Sequence, residues 1–563
     1  LGKLTLNTGT LLNEQGYIAS RSEQRITAET LDNRAGVIQS NSTQNFQVSA
    51  TLNNQRGQMI AAQDSHIRSQ ALENSQGLIR SGQDLVLNTQ GYALNNAQTL
   101  SAARDQGIIA LGKLTLETGK LDNQTGFIAS QGGQALNTAE LNNRQGIIQS
   151  AARQKLAIDG LLDNTQGQIS ADDALTIQSQ ALTNIQGLIQ SSENLSINTQ
   201  NQRLDNSQTL SQNGNQGIIA LGELTLNSGE LVNQQGYIGS RDKQTLVATK
   251  VDNQNGAIQS QNQQNLTVSG ALNNNAGQLS AAIIELAADA LENQQGAITA
   301  ADTLNVTVKE RLNNTQGNIA SGQNNTILAG ELDNSEGVIG SEQGGVRLTI
   351  GNSVINRLGK IMANHDLTVS SQQLDNSQGQ ISTLANLILD TRQHRLLNDR
   401  GQMIAQQTAT LQTGELSNHQ GLISGISGIL VDTHNNGLNN SDSSDKGIIS
   451  GNGHIQLKNV TAFNNQHGTV AGKQLTIASA TADNSQGGSL YAAEQLALTA
   501  QTLDNQGGII QAVQSAVVSA TDSINNRKIS EKGSLIQAGG ELQINTAQLD
   551  NSETKGAATK PTQ

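Results

Sequence analysis

One pattern, L-x-N-x-x-G-x-I-x-[SA], recurs along almost the whole of this 563-residue chain and constrains its fold more than any other feature. It reads Leu11, Asn13, Gly16, Ile18, Ser20, then Leu31, Asn33, Gly36, Ile38, Ser40, and is still present at Leu503, Asn505, Gly508, Ile510, Ala512. From Gly16 to Gly256 the motif glycines stand 19 to 21 residues apart, with two steps of 30 at Gly77 to Gly107 and Gly187 to Gly217. A longer period is superposed. Gly16, Gly126 and Gly236 are 110 apart, and LGKLTLNTGTLLNEQGYIAS at Leu1 returns as LGKLTLETGKLDNQTGFIAS at Leu111 and LGELTLNSGELVNQQGYIGS at Leu221. Residues 1–110, 111–220 and 221–330 are therefore superrepeats, 331–551 hold degenerate copies of the short unit, and 552–563 form a polar tail expected to be disordered.

Within a unit the apolar residues alternate, as in Gly187-Leu-Ile-Gln-Ser and Leu195-Ser-Ile197-Asn. A period of two specifies strands rather than helices. Three short strands are expected: one ending at the motif Asn, one starting at the Gly, and one of the L-x-[LIV] type. Asn-x-x-Gly supplies a turn between the first two, since both residues tolerate left-handed backbone angles. Four or five apolar side chains per unit cannot form a core alone, so each unit must stack on its copies. The expected fold is all-β: a parallel β-helix of about 20 residues per coil, continuous over 1–551. Its structural positions are Asn13, Gly16, Asn33, Gly36, Asn74, Gly77, Asn123, Gly126, Asn143, Gly146, Asn164, Gly167, Asn184, Gly187, Asn334 and Gly337. Stacked asparagines are expected to form an amide ladder along the turn rather than a binding stripe. About 25 coils at about 4.8 Å each would extend about 120 Å, with open sheet edges needing caps at both ends.

Composition agrees. The chain has one proline, Pro561, where average usage would give about 28, because a proline would remove a ladder hydrogen bond in almost any coil. A narrow interior favours aliphatic side chains over rings, and only three Phe, four Tyr and no Trp are present. A leucine-rich repeat is excluded by the order of Leu, Asn and Gly, disorder by the regular Leu and Ile placement, and helical solenoids by period and by dense Gly and Asn. A net charge of -13 and scarce aromatics oppose nucleic-acid binding. No apolar run is long enough for a membrane-spanning helix, and no signal peptide opens the sequence. Absent cysteines exclude disulfides, thiolate zinc sites and a cysteine nucleophile.

The search for chemistry yields little. The histidines at 66, 365, 394, 419, 434, 454 and 467 show no metal-ligand spacing and are read as solvated. The loop Asn440–Lys446 offers Asp442 and Asp445 to calcium, but a solvated loop is the expectation. Asp32, Asp122, Asp163, Asp205, Asp252, Asp333, Asp375 and Asp504 share one column, only 163 and 205 approaching each other closely and no Arg or Lys column accompanying them. Some β-helices cleave acidic polysaccharides with clustered carboxylates; here catalysis is not expected, nor a metal or cofactor. Insertions at Asn96–Gln106, Asn206–Gln216 and Asn440–Lys446 are expected to bulge from one face as tolerated loops.

The L-[DN]-N-x-x-G-x-I-x-[SA] units (Leu31 to Ser40, Leu121 to Ser130) and the L-T-[LIV] strands between them (Leu4 to Leu6, Leu367 to Val369, Leu475 to Ile477) resemble the haemagglutinin repeat of filamentous-haemagglutinin-type exoproteins. The resemblance covers nearly the whole chain. It implies a right-handed β-helical shaft, secreted or held on the bacterial surface, exported through an outer-membrane two-partner-secretion transporter and presenting distal regions to a host or neighbouring-cell receptor. The alternatives are the stick of a contact-dependent growth inhibition toxin and a β-helical polysaccharide-active enzyme. Neither the N-P-N-type secretion motifs nor the V-E-N-N motif of that group occurs in this sequence.

Overall fold

The computed structural model describes residues 2–211, 214–529 and 533–554. Most of the expected disordered tail, from 555 onward, lies outside these residues, as do positions 212 and 213 of the second insertion. Among the described residues there is no helix. The chain divides into two compact units, Leu1–Ala288 and Asp289–Gln563. Each is a β-solenoid of parallel strands turning once about every 20 residues.

A representative coil of the first unit holds the strands Leu161–Asp163, Gln168–Ala171 and Leu175–Gln178. They pair in parallel with Ala181–Thr183, Leu188–Ser191 and Leu195–Asn198 of the next coil, setting Leu162 against Leu182, Ile169 against Ile189 and Ile177 against Ile197. The two-residue alternation turns one side chain of each pair inward. Leu162, Ile169, Leu175 and Ile177 are at most 1% exposed. At about 25 cal/mol per Å² of apolar surface, a fully buried side chain of this kind contributes about 1.5–3 kcal/mol, and only the neighbouring coils make that burial possible. The second unit repeats the scheme, with Ile319 against Ile339 and Leu348 against Val369.

Three details depart from the sequence reading. The first strand ends one residue before the motif Asn and the second begins one after the Gly, so both lie in the turn. The left-handed residue of that turn is neither of them. It is the residue before the glycine: Ala35 (φ 51°), Gln76 (φ 56°), Gln145 (φ 55°) and Gln166 (φ 55°). The strands are also not always short. Gln134–Asn142 runs through one corner, and Ser489–Asp504, 16 residues long, runs through two. There the strand continues through Ala493 and Glu494, at the corner where other coils break. In those coils the motif serine closes the corner: Ser191 Oγ donates to the carbonyls of Asp173 (2.8 Å) and Asn194 (3.0 Å).

The interior also admits rings. Phe46 and Phe463 are at most 2% exposed. Phe463 pairs with Ala482 in the coil that follows, whose small side chain leaves the volume the ring needs.

Candidate functional site

The most regular feature of each unit is a column of asparagine side chains at the Asn-x-x-Gly corner. In the first unit it runs Asn13, Asn33, Asn54, Asn74, Asn96, Asn123, Asn143, Asn164, Asn184, Asn206, Asn233, Asn253, Asn274. Each Nδ2 donates to the next Oδ1 at 2.6–2.8 Å. In the second unit it begins Asn293, Asn314, Asn334, Asn356, with the same 2.7 Å spacing. The second amide hydrogen bonds to main-chain carbonyls, as from Asn164 to Gly167 (3.2 Å) and Leu188 (3.1 Å). These side chains are buried, Asn33, Asn143 and Asn334 completely. A buried amide is tolerated only with its hydrogen bonds made, and identical neighbours one coil away make them.

The ladder explains the glycines. A Cβ at Gly36 would overlap the Asn13 carbonyl oxygen and come within 2.7 Å of Asn33 Oδ1 and 2.9 Å of Asn13 Nδ2. Gly77, Gly146, Gly167, Gly187 and Gly337 meet the same obstruction from their own and the preceding asparagine. At Gly16 and Gly126 the nearest side-chain atom is likewise the Oδ1 of the coil's own asparagine, Asn13 and Asn123. Glycine is required here by lack of space, not by a left-handed backbone.

The insertions leave from this same corner by one device. At Asn96, Asn206 and Asn440 the residue three positions on is Thr99, Thr209 or Ser443 instead of glycine. Its hydroxyl donates to the carbonyl of that asparagine at 2.9, 2.9 and 3.0 Å. It also accepts the main-chain N–H of the coil above, from Phe127, Tyr237 and Thr469 at 2.9, 3.0 and 3.1 Å. The ladder thus continues while the chain departs. N-x-x-[ST] was the signal in the sequence.

The aspartate column is a turn device. Asp122, Asp163, Asp205 and Asp252 each accept the main-chain N–H two residues on, at 3.0–3.2 Å. Asn53, Asn95, Asn142 and Asn273 do the same in the coils between. Carboxylates therefore alternate with neutral residues through the first unit: Asp32, Asn53, Glu73, Asn95, Asp122, Asn142, Asp163, Thr183, Asp205, Val232, Asp252, Asn273. The expectation that only 163 and 205 come close is thereby corrected. Asn142 Nδ2 donates to Asp122 (2.9 Å) and Asn273 Nδ2 to Asp252 (3.1 Å). Where two carboxylates are adjacent, at Asp483 and Asp504, burial and the neighbouring charge push the Asp504 carboxyl above its ordinary value.

Arginines do accompany the column, from two different sequence positions, which hid them. Arg34, Arg144 and Arg357 follow the motif Asn and pair with Asp32 (2.7 Å), Asp163 (2.5 Å) and Asp375 (2.6 Å). Arg203 and Arg311 precede it and pair with Asp205 (3.0 Å) and Asp333 (3.2 Å). Burial opposes ionisation of Asp163, but the Thr165 hydroxyl and Arg144 outweigh it and hold the carboxyl below its usual range.

The haemagglutinin repeat family matches residues 2–50, 30–89, 45–103, 89–165, 149–214, 201–252, 243–308, 304–346, 343–398 and 474–561, well over half of the chain. It belongs to the haemagglutinin repeat family. No curated protein and no solved structure matches it. In this haemagglutinin-repeat chain the matched segments flank residues 399–473, which carry the third insertion and His419, His434, His454 and His467. The solenoid brings three of these groups together: His419 Nδ1 lies 3.6 Å from one Asp442 oxygen and His467 Nδ1 3.5 Å from the other. Sequence spacing gave no hint of this, because the three sit on successive coils. Among the described residues no group of three His, Asp or Glu is placed to hold a metal ion, and the same segment holds a buried carboxylate, Asp432. Burial works against its charge, yet both Asn459 contacts (3.0 and 3.1 Å) and the His434 N–H (3.0 Å) overcome this and keep the carboxyl below its usual value.

Proposed function

We propose that this chain is a shaft segment of a filamentous adhesin, a spacer that holds distal binding regions away from the cell. The buried asparagine ladder carries this reading: the main polar devices, the asparagine ladder and the aspartate turns, repeat along an axis coil after coil. The family is a structural, adhesin-type one whose members are generally secreted or surface-exposed. On this reading the protein is not catalytic. The column aspartates are occupied capping turns and pairing with arginines. The chain reaches the surface through an outer-membrane two-partner transporter and serves a receptor on a host or neighbouring cell.

Deletion of residues 111–220 tests the proposal. The deleted segment opens with LGKLTL at Leu111 and the retained chain resumes with LGELTL at Leu221, so the cut rejoins equivalent positions and removes five coils, about 24 Å of rise. The expected result is a folded, displayed protein with reach reduced by that amount, measured by atomic force microscopy on cells, and with distal binding retained. Loss of folding, or loss of binding unrelated to reach, would contradict a spacer role.

A further inference from the structure

We infer that the first insertion builds a binding groove for a short oligosaccharide bearing a carboxylate, on the flank of the first unit. The groove, about 420 Å³, runs along the solenoid axis, within the range of small-molecule sites. Ile109, Ala129 and Gln149 of successive coils form its floor, Asp172 lines it, and Arg104 of the insertion lines it together with Phe127. The Arg104 guanidinium carbon sits 5.6 Å from the Phe127 ring centroid, and among the described residues no carboxylate forms an ion pair with it. A guanidinium held on a ring face keeps its edge free for a planar anion.

The composition of the groove selects the ligand. The strands beneath are paired to a coil on each side, so no free edge exists to receive a peptide strand, and recognition falls to side chains. Those available are a guanidinium for a carboxylate, an amide and a carboxylate for hydroxyls, and flat aliphatic surface for ring faces. Each coil advances about 4.8 Å, close to one sugar ring in an extended chain, so successive coils meet successive rings.

The second superrepeat supplies a natural contrast. Its insertion has Gly214 where the first has Arg104, and Tyr237 and Gly239 stand for Phe127 and Ala129. The Tyr237 hydroxyl lies 2.5 Å from where a Cβ at Gly239 would be, so this ring lies over the position that Ala129 holds in the first superrepeat. Among the described residues the pairing of a guanidinium with a ring at this place is made by Arg104 and Phe127 of the first superrepeat, and the inference does not depend on the shaft reading.

Titration calorimetry of the whole chain with trigalacturonic acid, cellotriose and a triglutamate peptide tests it. The acidic trisaccharide is expected to bind one per chain and the other two not to. Arg104→Ala is expected to weaken binding about tenfold or more, the usual effect of removing a charge-assisted hydrogen bond, and Gln149→Trp to abolish it by filling the floor. Both variants sit on exposed or half-exposed positions, and circular dichroism should show an unchanged fold. Binding of cellotriose equal to that of the acid, binding of triglutamate equal to that of the sugar, indifference to Arg104→Ala, or no binding at all would each overturn the inference.

Discussion

Replacing Asn143 by alanine isolates what the buried ladder contributes. Asn143 accepts from Asn123 at 2.7 Å and donates to Asn164 at 2.7 Å and to the carbonyls of Gly146 and Gln168 at 3.3 and 3.2 Å. The variant leaves Asn164 Oδ1 with no donor and Asn123 Nδ2 with only the Ile147 carbonyl at 3.4 Å. Two buried polar groups stripped of their main partner cost about 1–3 kcal/mol each, giving about 2–6 kcal/mol in total. Repeat arrays open locally, so a global melting curve is the wrong assay. Hydrogen exchange read on peptides from residues 121–170 is the right one. The lower bound corresponds to exchange about 30-fold faster in those coils, at 1.4 kcal/mol per tenfold. The control is Gln145→Ala. Gln145 belongs to a second, solvent-facing amide ladder through Gln166 and Gln186 (2.8 and 2.7 Å), and alanine already occupies the equivalent left-handed position at Ala35. Its effect should stay within about 0.5 kcal/mol. If both variants accelerate exchange equally, the buried ladder is not what holds the corner.

Three further outcomes follow from the same geometry. Gly146→Ala puts a methyl within 2.6 Å of Asn143 Oδ1 and 2.9 Å of Asn123 Nδ2; it should disrupt the same coils by more than about 1–3 kcal/mol, seen in the same exchange experiment, and tolerance of alanine would refute the steric account. Gln134 and Gln154 are buried where neighbouring coils carry Leu114 and Leu175, and Gln154 Oε1 has no hydrogen-bond partner; the double change to leucine should leave hydrogen exchange in these coils unchanged or slow it, and faster exchange would show that the amide pair stabilises the coil. The Asp432 carboxyl is held below its ordinary value in the folded chain, so its contribution is present above the unfolded carboxyl pKa of about 3.9 and lost as pH falls through the lower folded value; Asp432→Asn should flatten acid unfolding of the 428–464 region below about pH 4, and an unchanged acid profile would exclude the role.

The fold class was legible because every unit repeats its alternation, so one correct reading of Leu182 to Ile197 serves all coils. The turn was less legible. Sequence logic assigned left-handed angles to Asn and Gly as residue types, whereas the structure assigns glycine by close approach of the neighbouring asparagine and gives the left-handed angle to Gln, Ala or Arg beside it. The arginine partners of the aspartate column were hidden because Arg144 and Arg203 occupy different places in the unit and converge only through stacking. The meeting of His419, Asp442 and His467 was hidden for the same reason. What a solenoid brings together depends on register, and register shifts with each insertion.

The central claim is that successive coils stack at a constant rise, and the absence of native cysteine makes it directly measurable with spin labels. Thr27, Asn137 and Val247 are exposed, equivalent positions of the three superrepeats. They are linked by five and then five more coil steps through Gln47, Arg68, Asn88 and Glu117, and through Ala157, Gln178, Asn198 and Asn227. Electron–electron double resonance between labelled cysteine pairs should give about 24 Å for 27–137 and about 48 Å for 27–247, at about 4.8 Å per coil. A 27–247 distance no longer than that for 27–137 would contradict the stacked-coil account.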